Sequence, residues 1–254
     1  MPEKYQYGDH VHLLSDAFYM PQLNRYRKIQ IYLPKGYNKS EKRYPVIYMQ
    51  DGQQVFHTQP PRNNEWAVDK LVDELIRSGS EERIVVGIYH NEEKRFNEYS
   101  PFNGEHGQAE GTAYAAFIAE TLKPFVDENY RTLTDSQNTA IAGGSLGGLI
   151  SLYTIASYPE VFGSAGIFSP SLWYAPEIFQ YIAERRADLQ QHQIYFVVGG
   201  KEGETMINEV LRMYQLINPD HSNPNILVSN PADGRHKEWF WHREFAAFYQ
   251  FINK

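Results

Sequence analysis

Residues 139–153 read TAIAGGSLGGLISLY, and within them Gly143-Gly144-Ser145-Leu146-Gly147 is a G-x-S-x-G stretch. Apolar Thr139 to Ala142 precede it and a helix-like run, Leu149 to Tyr153, follows. A serine between a strand and a helix is forced onto a very tight turn, with its hydroxyl exposed above the sheet edge. Gly143 and Gly147 leave no Cβ where the two backbones crowd together. The helix starting at Leu146 points free N–H groups and its positive dipole end toward Ser145. No Lys-Ser or Lys-Thr follows the glycines, and their spacing is not G-x-G-x-x-G, so neither phosphate-loop reading holds.

Working outward, strands alternate with helices. Arg27 to Leu33, Tyr44 to Met49, Arg83 to Tyr89 and Asn138 to Ala142 read as strands, as do Gly163 to Phe168, Ile194 to Val198 and Asn225 to Val228. Glu65 to Ile76, Thr112 to Asn129, Leu146 to Ser157, Pro176 to Arg186, Thr205 to Ile217 and Glu238 to Ile252 read as helices. Alternation over the whole length predicts an α/β fold, a mainly parallel central sheet with helices on both faces, as one domain over 1–254. Chemistry in such sheets sits at the carboxyl ends of the strands.

Composition narrows the function classes. The chain has 254 residues, 42% hydrophobic and 22% charged, enough for a sizeable core. Net charge is −7 with no basic block, which argues against nucleic acid. There is no cysteine, so disulfides, thiol nucleophiles and zinc–thiolate sites are excluded. Met1 to Asp9 lacks a leader pattern and no apolar stretch would span a membrane, so a cytoplasmic address without membrane partner is expected. No H-E-x-x-H is present and His10-Val11-His12 is an isolated pair, so no metal and no cofactor is expected. A homo-oligomer is left open. Aromatic residues reach 15%, and some are expected in a cleft.

A reactive serine needs a base, and the base an orienting acid, in the order Ser, acid, His. His192 precedes a strand, His221 follows a helix and His242 lies inside the last helix; only His236 follows the 225–228 strand. After strand 194–198 comes Gly199-Gly200-Lys201-Glu202-Gly203-Glu204. Glu202 is the preferred acid, Glu204 the second choice as a helix starter, and Asp233 a turn former. For oxyanion donors, the N–H of Leu146 is joined by that of Gln53 or Gln54, in the loop after strand 44–49. Arg95, Tyr99, Trp173 and Tyr174 are expected to shape the pocket, with Phe56, His57 and Trp66 flanking the oxyanion loop. An Arg95–Glu98 ion pair is an equal alternative for those two.

Taken together, IYLPKGY (31–37), YPVIYMQDGQQVF (44–56), RFNEYSP (95–101), DENYRT (127–132), AGGSLGGLISLY (142–153), FSPSLW (168–173) and GRHKEWFWHREF (234–245) resemble the putative-esterase branch of the α/β-hydrolases. That branch includes enterochelin-type trilactone esterases, feruloyl and acetylxylan esterases, S-formylglutathione hydrolase and the mycolyltransferases. The similarity covers nearly the whole chain and is greatest to the bacterial predicted-hydrolase group. It implies Ser145 as nucleophile and His236 as base. Some enterochelin-type members work with a Ser–His pair, so the choice of Glu202 rests on the residues themselves. The expected activity is carboxylesterase action on small, aryl, sugar or lactone esters, the partner being a small-molecule ester. An acyltransferase with the same nucleophile and a catalytically silent carbohydrate- or siderophore-binding protein are the alternatives. The short 169–175 segment leaves little room for a large lid.

Overall fold

Apolar side chains alternate along the central strands, and this splits the core in two. In the strand Val46–Met49, Val46 and Tyr48 join one buried cluster while Ile47 and Met49 join the other. Period-2 alternation with apolar residues on both faces requires helices on both sides of the sheet. The helices Val68–Arg77 and Glu238–Phe251 cover one face. The helices Leu146–Ser157, Ile178–Leu189 and Glu204–Ile217 cover the other, together with helical residues 111–129.

The computed structural model describes residues 6–104 and 107–253. Its strands are β1 (Gln6–Tyr7), β2 (Val11–Met20), β3 (Arg25–Tyr32), β4 (Val46–Met49), β5 (Thr58–Gln59), β6 (Ile84–Ile88), β7 (Thr139–Gly144), β8 (Ser164–Phe168), β9 (Gln193–Val197) and β10 (Ile226–Ser229). Eight form one sheet in the order β10-β9-β8-β7-β4-β6-β3-β2, and β1 pairs with β5 apart from it. From β6 to β10 every pairing is parallel; β3 runs antiparallel to β6, and β2 to β3. This is the mainly parallel, helix-covered sheet of the α/β-hydrolase type. Among the described residues no helix is long and apolar enough to cross a membrane.

The long strand β2 is not legible in the sequence, and two local expectations are corrected. The ten-residue strand β2 gives no clean alternation in sequence, because its register against β3 breaks between Leu13 and Ser15 and again before Phe18. The loops after β4 and β6 contain short helical turns, Gly52–Val55 and Arg95–Glu98. The helix expected over 112–129 widens into a looser turn at Phe117–Leu122. Pro124 follows it and has no N–H for the carbonyl of Glu120, so the regular ladder cannot run through.

Candidate active site

β7 is small and buried throughout, and its last residues let the chain reverse sharply into the helix Leu146–Ser157. Ser145 sits at the reversal with φ 60° and ψ −124°, a conformation costly for a side-chain-bearing residue. A Cβ on Gly143 would stand 2.6 Å from the carbonyl carbon of Gly147, so only glycine permits this turn. The next strand clamps it: Ser145 N–H donates to Phe168 O at 2.9 Å, and Ser171 N–H donates to Ser145 O at 3.0 Å. The hydroxyl of Ser145 is hydrogen-bonded to that of Ser171 at 3.1 Å rather than to His236.

Glu202 and His236 come from separate loops, after β9 and after β10, and meet. Glu202 Oε2 lies 2.8 Å from His236 Nδ1, with the glutamate side chain fully buried and the imidazole 37% exposed. The loops touch backbone to backbone: a Cβ on Gly199 would stand 2.3 Å from the carbonyl carbon of Gly234. Lys201 N–H donates to Gly234 O at 2.9 Å and Gly200 N–H to Pro231 O at 2.8 Å. Glu202 Oε1 accepts from Gly199 N–H and from Ser169 Oγ, each at 2.7 Å. Surrounded by donors, the carboxylate accepts a hydrogen from Nδ1, and a neutral His236 then presents Nε2 as a free acceptor. Glu204 begins the following helix instead. His192 Nε2 donates to Pro159 O and His242 Nδ1 donates to the Trp66 carbonyl, so neither is bonded to Ser145.

Ser145 and His236 line one cleft of about 430 Å³, with Asp51, Gln54, His90, Arg95, Phe96 and Trp241 among its walls. Asp51 takes a left-handed conformation (φ 57°, ψ 46°) at the end of β4. Arg95 grips its carboxylate through Nε at 2.8 Å and Nη2 at 2.9 Å, and His90 Nδ1 adds a third contact at 2.6 Å. Burial would raise the Asp51 pKa; the Arg95 guanidinium and His90 outweigh it and hold the group at about 2. The sequence places Asp51 in the loop after strand 44–49 and assigns it no role, so this cluster is not foreseen there. Its only signal was an Asp-Gly pair at a strand end.

Several expected pocket residues are placed differently. Tyr99 is not a pocket wall: it is fully buried, and its hydroxyl accepts the Asp51 N–H at 3.1 Å. Burial pushes its pKa well up. Arg95 does line the cleft, but its partner is Asp51 and not Glu98. Glu98 is taken by Arg27, at 2.6 and 2.7 Å, and by Arg25 at 2.9 Å. Trp173 is 55% exposed and lies outside the cleft lining, because the Leu172–Tyr174 turn carries it away. Tyr174 stands behind the cleft, its ring 5.7 Å from Phe96. Gln54 N–H is committed to Asp51 O at 2.7 Å, whereas that of Gln53 lies in the first turn of the Gly52–Val55 helix, without an acceptor inside it. The Leu146 N–H is equally free at the start of its helix. Phe96 and Trp241, the latter also part of the buried core, are the aromatic walls.

A sheet of this order, with a strained serine after β7 and a Glu–His pair joining the last two loops, has the architecture of the α/β-hydrolase type. The chain belongs to the Esterase family, described as Putative esterase, whose model matches residues 20–249. It is a carboxylic ester hydrolase. It is 28% identical over 233 residues to uncharacterized protein YjcH of Bacillus subtilis, covering 88% of this chain and 90% of that one. It is 30% identical over 157 residues to the ferri-bacillibactin esterase BesA of Bacillus subtilis, covering 54% and 51%. A ferulic acid esterase structure superimposes with a TM-score of 0.74 over 96% of this chain and 98% of the other, at 20% identity.

Proposed function

We propose that the protein is a serine carboxylesterase acting through an acyl-enzyme on Ser145. The observation that carries this is the Glu202–His236 pair at 2.8 Å, its carboxylate buried and its imidazole opening onto the same cleft as Ser145. In the first step the Ser145 hydroxyl turns from Ser171 toward His236 Nε2. Its oxygen bonds the ester carbonyl carbon while its proton passes to Nε2. The tetrahedral oxyanion accepts from the N–H groups of Leu146 and Gln53. The C–O bond to the alcohol then breaks, His236 gives the proton to that oxygen, and water repeats the sequence to release the acid. Apo hydrogen bonds at such sites tighten only with substrate, so the Ser145–Ser171 contact is compatible with this order of events.

Small, aryl, sugar or lactone esters are the proposed substrates. An open cleft of about 430 Å³ walled by Phe96 and Trp241 supports flat or ring-bearing groups over long alkyl chains. The similarity to proteins named ferulic acid esterase and ferri-bacillibactin esterase supports the same reading. Incubation with a fluorophosphonate tests it: a mass adduct on Ser145, absent from Ser145→Ala, is expected. No adduct on the folded protein would sink the proposal in favour of a silent binding protein.

A further inference from the structure

Behind the Glu202–His236 pair lie two buried polar groups that the reaction as written does not use, Ser169 and Trp241. We propose that they are positioning residues that set the basicity of His236 by fixing how Glu202 shares its negative charge. This rests on His236 being the base.

The direction of the hydrogen bonds is forced. An indole N–H only donates. Trp241 Nε1 lies 2.9 Å from Ser169 Oγ, so that oxygen accepts. The one hydroxyl hydrogen of Ser169 is then left for Glu202 Oε1, at 2.7 Å. The Gly199 N–H lands on the same Oε1, also at 2.7 Å. Two donors therefore draw charge onto Oε1, and Oε2 meets His236 Nδ1. A chain of donors pointing one way strengthens each member.

The backbone supports a dedicated role for Ser169. It is fully buried and holds φ at +43°, where L side chains are disfavoured, immediately after β8. Its N–H is tied to Val197 O at 2.7 Å. The strained turn aims the hydroxyl between the indole and the carboxylate. Trp241 also meets the imidazole itself, ring centroids 5.0 Å apart and planes at 80°. One side chain thus packs on the base and donates, through Ser169, to the acid.

Removing a donor from Oε1 returns charge to Oε2. The carboxylate then stabilises the imidazolium more strongly, and His236 holds its proton to higher pH. Other charged groups stay in place in the variants. Asp51, His90, Glu92, Arg95, Lys237 and Glu238 share the cleft with His236. Lys201, Glu204 and Arg235 flank it on the two loops, and Asp233 is paired with Arg243 at 2.7 Å.

The test is the pH profile of kcat/KM for an aryl acetate in wild type, Ser169→Ala and Trp241→Phe. Trp241→Phe keeps a ring against His236 while removing the donor together with part of the indole's volume, so its limb position, which lost volume alone would not move, decides if Ser169→Ala does not fold. The ascending limb is expected to move to higher pH by about half a unit in Ser169→Ala and by less in Trp241→Phe. The plateau of kcat should nevertheless fall roughly 10-fold in Ser169→Ala, because Glu202 loses one of the two bonds that hold its Oε1 and the imidazole is less well aligned on Ser145. A merely structural role would lower stability and leave the limb in place. Unmoved limbs in both variants, with Ser145 still labelled by fluorophosphonate, would overturn this proposal while leaving the base assignment standing. Failure of wild type itself to label would instead remove the base assignment, and this inference with it.

Discussion

Arg95 holds Asp51 with two parallel hydrogen bonds, Nε to Oδ1 at 2.8 Å and Nη2 to Oδ2 at 2.9 Å. This turns the one arginine of the cleft wall inward in electrostatic terms: its charge is matched before any substrate arrives. The pair anchors the Gly52–Val55 turn, which carries the Gln53 N–H, to the loop after β6. His90 N–H donating to Gln53 Oε1 at 3.1 Å adds a second tie.

Loss of Arg95 should therefore cost stability more than substrate charge preference. Arg95→Ala leaves a buried carboxylate without its counter-charge, at an expected cost of about 3–5 kcal/mol. Urea denaturation measures it. An unchanged midpoint, with KM raised only for acidic esters, would show that Arg95 serves the substrate instead.

The same carboxylate gives a pH signature. Its folded pKa, about 2, lies below the ordinary 3.8, so the folded form binds the proton less readily than the unfolded chain. Its stabilisation is complete above pH ~4 and is lost as pH falls from about 4 to about 2. The gap between the two values corresponds to about 2 kcal/mol. Comparing Asp51→Asn with wild type across this window should show a smaller acid loss in the variant; equal slopes would count against it.

Replacement of either member of the proposed Ser145–His236 pair should be severe and non-additive. Ser145→Ala and His236→Ala are each expected to lower kcat by roughly 10⁴, and the double variant little more. Glu202→Ala should cost less, because the acid orients and stabilises rather than transfers the proton. Glu204→Ala should be close to wild type. Additive losses, or a larger effect at Glu204, would contradict the assignment.

Substrate choice should follow Phe96 and not Trp173. Phe96→Ala is expected to reduce the preference for aryl over alkyl acetates several-fold, about 1 kcal/mol for one stacking wall. Trp173→Ala, outside the cleft, should leave that ratio unchanged. Ratios of kcat/KM across a short ester panel decide, and the reverse pattern would reinstate Trp173 as the specificity wall.

How much of this was legible in the sequence depends on whether the controlling contact is local. The Ser145 turn was readable because its glycines and flanking apolar runs are contiguous. His236 and Glu202 were readable because strand order alone puts their loops at one sheet edge. The Asp51–Arg95 clamp spans 44 residues and the Trp241–Ser169 bond 72, and neither leaves a periodic trace. Tyr99 and Trp173 were misplaced for a related reason. Both lie on turns after strands, but a short helical turn at Arg95–Glu98 buries one and the Leu172–Tyr174 turn exposes the other. Strand β2 escaped because its irregular register erases alternation.

The Gly199–Gly234 contact welds the acid's loop to the base's loop, and both hang from β9 and β10 at the sheet margin. β10 is four residues long and has β9 as its one strand partner. Margins of this kind open at lower free energy than the centre of a sheet. When this edge peels away, Glu202 and His236 should leave together as an intact pair, stranding Ser145 on the still-folded central strands. Hydrolysis would then fade in denaturant earlier than the signal from the buried core, and a ligand filling the cleft would restore it by pinning the margin down.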